Sequence, residues 1–252
     1  YFFNYRQPYS PVDKNFAIFA AGNDGYHLAG YPAAHRDYIA VSAFGPDYLP
    51  AVYTNYGPGS NISAPGGDSS INRTPESNRA QVLSTVPSDC SAYNTDYGYM
   101  EGTSMACPHV SGVVALGLSY AAKLRKHFTT EEFKELLYAS AVPIDEYMNG
   151  TKVYSRYVID LEESSPLQSL NMNLFRKQMG HGQVHAYNFL KAIEGAGTPM
   201  TFPHVFVSVG ESKVIDPSIY MDGNDFSASV DENKMSVASV EVKDNKVVVT
   251  GL

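Results

Sequence analysis

The sequence predicts an α/β fold followed by a small β-sandwich-like segment. Residues 16–21 form an apolar run that ends in a Gly/Asn/Asp turn, which is the pattern of a fully buried strand. Residues 38–43 form a second β-rich run, and a helix rich in small residues follows Gly102. These features predict the α/β part. From Gly195 onward short β-like runs alternate with turns, which predicts the separate β segment.

The composition is that of an acidic globular protein. The 252 residues carry a formal net charge of −8 and are 44% hydrophobic. This balance argues against nucleic acid or an anionic membrane as a partner. We expect the longest apolar stretch, residues 110–122, to be too short to span a bilayer. Cys90 and Cys107 give no disulfide framework and no zinc spacing, and whether they pair stays open. We expect Cys107 to be a small buried packing residue.

Two further helices are predicted after the small-residue helix. Thr129 and Glu132 have the spacing of a capping box, with Thr129 as the N-cap and Glu132 at the third helical position. A last helix is predicted over residues 187–193. Between these helices, residues 145–177 have the composition of an insertion, with a turn at residues 149–150.

Residues 102–112 read GTSMACPHVSG and contain the first candidate site. Ser104 falls in the first turn of the predicted helix, where about four backbone N–H groups have no partner inside the helix. The helix dipole adds partial positive charge there. An oxyanion forming beside Ser104 would therefore meet ready-made donors. For a lone serine the alternative, a buried core helix rich in Ala and Gly, would be favoured.

Residues 20–23 read AAGN and form the second candidate site. Asn23 follows the predicted strand, and an asparagine at such a place is usually only a turn former.

The two strings together resemble the nucleophile and oxyanion motifs of the subtilisin-like serine proteases, in the family's order. The resemblance implies part of a three-layer domain built on a parallel sheet. It implies that Ser104 attacks a peptide carbonyl, and that the Asn23 side chain and the Ser104 backbone N–H hold the oxyanion. Subtilisin is itself the reference case for this donor and for the catalytic triad.

The resemblance also implies a substrate-binding set. Gly30 precedes Tyr31-Pro32-Ala33 and matches the base of the pocket that takes the side chain ahead of the cleaved bond, although it could be a plain turn glycine. The residues assigned to substrate binding are Ala20, Ala21, Gly22, Gly30 and Thr103. The implied partner is a protein or peptide substrate.

The acid and the base of a triad are not found in the sequence. A serine hydroxyl needs a base to accept its proton, and neither the family's His-Gly-Thr motif nor its Asp-Thr/Ser-Gly motif occurs among these residues. The resemblance covers residues 16 to about 193, and we expect the segment that carries acid and base to lie upstream of Tyr1. On this reading the chain alone is inactive. The strand at residues 16–21 would then present an open edge, filled by that N-terminal part or by a second copy.

The predicted organisation is a partial catalytic domain over 1–194, a linker over 195–200 and a partial Ig-like domain over 201–252. The expected strands of the last part are residues 206–210, 226–230, 237–240 and 246–250. An Ig-like sandwich needs about seven strands, so this module would be incomplete.

No cofactor or metal site is predicted. Calcium is common in the family, but no ligand cluster is convincing, and residues 222–225 are expected to be a turn. The expected location is secreted or at the cell surface, outside the cytoplasm, in a bacterium. The alternative function is a non-catalytic binding or scaffold protein that keeps the subtilisin fold.

Overall fold

The computed structural model describes residues 10–71, 80–89, 96–155, 167–199, 207–216, 237–244 and 246–252. In chain order the elements are β1 (Ile18–Ala20), β2 (Ile39–Phe44), β3 (Ile62–Pro65), β4 (Val82–Thr85), β5 (Tyr97–Met100), α1 (Thr103–Lys123), β6 (Lys126–His127), α2 (Thr130–Ala139), β7 (Thr151–Ser155), β8 (Leu167–Asn171), α3 (Ala186–Glu194), β9 (Thr198–Pro199), β10 (Ser212–Ile215), β11 (Ala238–Lys243) and β12 (Lys246–Gly251).

A parallel sheet in the order β1-β2-β3 confirms the predicted α/β fold. Ile18 lies opposite Ile39, and Val41 lies opposite Ile62. The first two strands are therefore neighbours in the sheet. Strand β1 is half-buried, which corrects the prediction of a fully buried strand and agrees with its open edge. Within the described residues β1 pairs only with β2, so its other edge is open there.

Strand β2 is buried on both faces, which gives the domain its layers. Ile39, Val41 and Ala43 belong to the core shared with the helices. Their neighbours point the other way, because side chains alternate along a strand. Ala40 packs in a small cluster of alanines and Phe44 in a second core. The sheet therefore lies between a helical layer and a layer of loops.

Helix α1 runs for 21 residues, longer than the predicted apolar stretch. By length and composition alone it could cross a membrane, which corrects the expectation that this stretch is too short. Val110 and Val114, on one face, are buried in the core shared with the sheet. Gly117 approaches α3 so closely that a methyl group there would overlap the ring of Phe189. These contacts account for the apolar composition, and we interpret α1 as a core helix.

The capping box of α2 is confirmed. The Thr129 hydroxyl accepts from the Glu132 backbone N–H, and the Glu132 carboxylate accepts from the Thr129 N–H at 2.7 Å. The helix predicted over 187–193 is α3.

The described part of the 145–177 segment forms the antiparallel hairpin β7–β8, which sequence reasoning did not predict. It adds a second hydrophobic core under Phe44, whose members are Ile144, Met148, Tyr154, Met172, Phe175 and Met179.

The C-terminal strands form a separate antiparallel sheet in the order β10-β12-β11. Strands β11 and β12 cover the predicted runs at 237–240 and 246–250, whereas β10 was not predicted. The strand predicted at 226–230 and the turn at 222–225 lie outside the described residues, as does Phe206. The strand predicted at 206–210 is wrong for residues 207–210, where only an isolated bridge joins Val209 to Gly251. The sheet is consistent with a β-sandwich-like segment, and its Ig-like character stays a prediction. In the predicted linker, β9 pairs with β6.

Candidate active site

Ser104 lies in the first turn of α1 with an exposed side chain. The residue before the helix is Gly102, whose φ of 146° and ψ of 162° are essentially restricted to glycine. This backbone angle turns the chain abruptly from β5 into the helix and leaves the serine at the surface.

Asn23 is held directly against the start of the same helix. Its side-chain Oδ1 accepts hydrogen bonds from the Thr103 backbone N–H at 2.9 Å and from the Thr103 hydroxyl at 2.8 Å. The Thr103 hydroxyl in turn accepts from the Gly22 N–H at 3.3 Å. Because the oxygen of the amide is occupied, its Nδ2 group is the part left to donate elsewhere.

Two donors face one space beside Gly102. The Met105 and Ala106 N–H groups donate to the Gly102 carbonyl, whereas the Ser104 N–H has no acceptor among the described residues. A methyl group placed on Gly102 would lie 3.5 Å from Asn23 Nδ2 and 3.6 Å from the Ser104 nitrogen. A helix amide without an acceptor and a side-chain amide near the same point are suited to hold an anion.

The predicted substrate-binding residues lie together at the end of β1. The Gly30 N–H donates to the Ala21 carbonyl at 2.7 Å, so the turn glycine closes onto the strand. Ala21 is buried, whereas Ala20, Gly22 and Gly30 are half-buried. Thr103, predicted as a substrate contact, is buried, and its hydroxyl donates to Asn23 Oδ1. The role of these residues in substrate binding stays a prediction.

Asn55 is a site residue whose role sequence reasoning missed. It is buried, and its Oδ1 accepts from the Asp24 N–H at 2.9 Å and the Tyr26 N–H at 3.0 Å. Its Nδ2 donates to the Ala21 carbonyl at 3.2 Å. Asn55 therefore fixes the turn that carries Asn23. The only local signal at Asn55 is its turn-forming neighbourhood, since Gly57 and Pro58 follow it closely.

A cleft of about 670 Å³ opens beside this site. Asn23 and Gly102 lie on its wall, together with Glu101, Tyr53 and Tyr154. The cleft places open volume next to Asn23 and Gly102.

No histidine in the described part of the chain is hydrogen-bonded to Ser104. The His109 ring bonds the Met105 carbonyl at 2.8 Å, and His27 bonds Gln178 at 2.8 Å. His185 caps α3. His204 lies outside the described residues.

Metal ligands and thiol chemistry are the two other possibilities at the site. No group of three or more His, Cys, Asp or Glu side chains that could hold a metal ion occurs in the described residues. Cys107, predicted to be a small buried packing residue, packs against the main core but is half-buried. Its thiol lies 3.6 Å from the Ile18 carbonyl oxygen. Burial raises the pKa of this thiol, which keeps it protonated and a poor nucleophile. Cys90 lies outside the described residues.

The parallel sheet and its serine-bearing helix place the chain among α/β proteins. Within that class it belongs to the subtilase family of serine proteases, whose profile matches residues 7–182.

Among its relatives, the halolysin of Haloferax mediterranei is 40% identical over 114 residues, which cover 44% of this chain and 18% of the relative. An extracellular protease of Xanthomonas campestris is 43% identical over 106 residues, covering 41% of this chain and 16% of the relative. Each match thus spans less than a fifth of the relative's length.

The crystal structure of a lanthipeptide protease superimposes with a TM-score of 0.50 at 21% identity, covering 70% of this chain and 50% of the other. At this identity the likeness concerns the fold alone. The halolysin is archaeal and the Xanthomonas protease is bacterial, so the bacterial source of this chain stays a prediction.

Proposed function

We propose that this chain carries the nucleophile and the oxyanion hole of a secreted serine endopeptidase. The carrying observation is the pair of hydrogen bonds from Thr103 to Asn23 Oδ1, which fixes the amide beside the Ser104 N–H. Secretion is supported by relatives named as extracellular proteases.

In the proposed reaction the Ser104 hydroxyl attacks the peptide carbonyl carbon while a base takes the hydroxyl proton. The carbonyl oxygen becomes negatively charged and accepts hydrogen bonds from Asn23 Nδ2 and the Ser104 N–H. Collapse of the tetrahedral species breaks the C–N bond, and the base returns its proton to the leaving amine. Water then hydrolyses the acyl-enzyme by the same steps.

The base and its orienting acid are proposed to come from another polypeptide segment or chain. Two surfaces support a docking place for it: the open edge of β1 and the outward face of α1, which exposes Ser104, Pro108 and Leu116. Leu116 is 48% exposed on this face. The chain alone is therefore inactive under this proposal.

Labelling with a fluorophosphonate, read by intact mass, tests the assignment. We expect no label on the chain alone, and one label per chain after addition of a polypeptide that carries the acid- and base-bearing half of a subtilase catalytic domain. Ser104→Ala should abolish labelling. Ser111→Ala, on the same helix, is the matched control and should label normally, because the Ser111 hydroxyl only donates to the Cys107 carbonyl.

Full labelling of the chain alone would refute the inactivity of the chain. Labelling that persists in Ser104→Ala would refute the nucleophile, and a binding or scaffold role would then gain support.

A further inference from the structure

A buried lysine joins the β7–β8 hairpin to the rest of the domain. The Lys152 ammonium lies 2.8 Å from Asp47 Oδ2 and 3.2 Å from Asp68 Oδ2. The Lys152 side chain is 8% exposed and that of Asp68 is fully buried. The ring of Tyr154 lies under the ammonium at 4.4 Å, and the Tyr154 hydroxyl donates to the Pro50 carbonyl at 2.7 Å.

Such a pair is not explained by stability alone. Removing two charges from water carries a desolvation penalty that their attraction often only balances, and apolar side chains of similar volume usually serve as well. A buried pair does fix the position of its partners, because each charge must keep the other within reach. The position that Lys152 fixes is that of Asp68.

Asp68 belongs to the loop of residues 66–70, which is bonded to the residues just before Ser104. The Gly102 N–H donates to the Gly66 carbonyl at 3.0 Å. The Ser69 N–H and hydroxyl donate to the two carboxylate oxygens of Glu101, at 2.5 and 2.7 Å. The loop therefore holds both residues that lead into α1.

Asp68 also shapes this loop from within. Its Oδ1 accepts from the Ser70 N–H at 3.1 Å and from the Ser70 hydroxyl, while Oδ2 faces Lys152. A continuous set of contacts thus runs from the hairpin through Asp68 and Ser69 to Glu101.

We propose that Lys152 is a positioning residue that, through Asp68 and Ser69, holds Glu101 and Gly102 and so orients the Ser104 nucleophile. The inference rests on the proposed function of Ser104. It assigns to the hairpin, which lies far along the chain from the serine motif, a part in setting the geometry of the reacting hydroxyl.

The charges around Asp68 give this role a distinct pH signature. The titratable groups facing Asp68 are Lys152, Tyr53 and Tyr154. Asp47 contacts Lys152, and Glu101 contacts Ser69. Burial raises the pKa of Asp68, and Lys152 opposes that rise. Without the lysine the pKa rises further. The carboxyl is then neutral at low pH and becomes an unpaired buried charge as the pH increases.

The test uses the complemented protease described above, or a longer active form of this chain, with kcat expressed per titrated active site. Lys152→Met should lower kcat at least about tenfold with little change in KM, since a displacement of about 1 Å can reduce the rate about a hundredfold. The ratio of the Lys152→Met kcat to the wild-type kcat should rise toward one as the pH falls. Lys152→Arg should restore most of the rate, and Lys123→Met, at the exposed end of α1, is the matched control.

Asp68→Asn breaks the same contact without leaving a buried charge unpaired, since Lys152 keeps Asp47. It should lower kcat by a similar factor with no added pH dependence. The double variant should lose no more than either single one, because residues that act through one contact are not additive. If Lys152→Met does not fold, Asp68→Asn decides the question.

Variants that keep kcat per titrated site within about twofold of wild type, whatever their Tm, would show a structural role only and overturn the inference. The proposed function is judged separately by Ser104→Ala. If that variant is inactive while Asp68→Asn is normal, the nucleophile stands and the positioning role falls.

Discussion

Asn23 uses the two atoms of its amide for two different purposes, and one substitution separates them. Oδ1 accepts two hydrogen bonds from Thr103 and so caps α1, whereas Nδ2 is the proposed donor to the oxyanion. Asn23→Asp keeps the acceptor and removes the donor. Asn23→Ala removes both.

The magnitudes differ enough to be resolved. Loss of a capping side chain destabilises a helix or protein by about 1 kcal/mol. A carboxylate at a helix N-terminus instead adds about 0.3–1 kcal/mol of stability. Loss of the donor should reduce kcat by about a hundred- to a thousandfold, the known value for the corresponding donor of subtilisin.

The assay combines urea unfolding of the chain with kcat of the complemented protease. We expect both variants to lose kcat by a similar factor, but only Asn23→Ala to lose stability. Asn188→Asp, an exposed residue in the first turn of α3, controls for the added charge and should keep kcat. Activity of Asn23→Asp within about threefold of wild type would refute the donor assignment. Equal destabilisation of the two Asn23 variants would refute the assignment of Asn23 Oδ1 as the acceptor that caps α1.

Three further predictions concern backbone strain, packing and pH. Gly102→Ala should destabilise the chain by about 1–3 kcal/mol, because the φ of residue 102 is 146°. The methyl group of the alanine would also enter the space between the two donors and lower kcat. An unfolding midpoint equal to that of wild type would contradict the backbone strain. Gly117→Ala should lower the free energy of unfolding by about 1–3 kcal/mol, because the added methyl group overlaps the ring of Phe189. Gly112→Ala is the control and should be neutral or stabilising, because position 112 faces open space. Equal thermal midpoints for the two variants would show that the helices separate freely. Although partial burial opposes it, hydrogen bonds from the start of α2 hold the pKa of Asp13 below its ordinary value of 3.8. The resulting stability is present above that pH and is lost as the pH falls through the lowered pKa. The difference in the free energy of unfolding between wild type and Asp13→Asn, measured by urea denaturation at several pH values, should therefore disappear in acid. A difference independent of pH would exclude the ionised carboxylate as its source.

The sequence predicted the elements whose signals are local. A capping box needs only Thr129 and Glu132, three residues apart, and both contacts are present. The buried strand β2 was predicted from its own β-rich run. The candidate site was found because its two halves each occupy a short string of residues around Asn23 and Ser104.

Contacts between distant residues were beyond such reasoning. Asn55 holds the Asn23 turn across about thirty positions of sequence, and only the paired sheet brings them together. Lys152 and Asp68 are separated by 84 residues. Nothing in the sequence near Lys152 marks it as buried, since lysine is ordinarily exposed. The hairpin β7–β8 was missed for a related reason, because it pairs residues up to 20 positions apart, such as Thr151 with Asn171.

These contacts also explain why the two tasks of the proposed chemistry can be divided between polypeptides. Stabilising the oxyanion requires donors fixed before the reaction, and Thr103 fixes Asn23 within this chain alone. Accepting the serine proton requires an imidazole, held by its orienting acid, within hydrogen-bond reach of the exposed hydroxyl. The polypeptide that delivers it has a short edge to pair with, Ile18–Ala20, and such an edge offers few backbone hydrogen bonds. Further docking energy would come from covering the outward face of α1, where Pro108, Ala115 and Leu116 are exposed. Burying that face would place the incoming segment directly along the helix whose first turn carries Ser104.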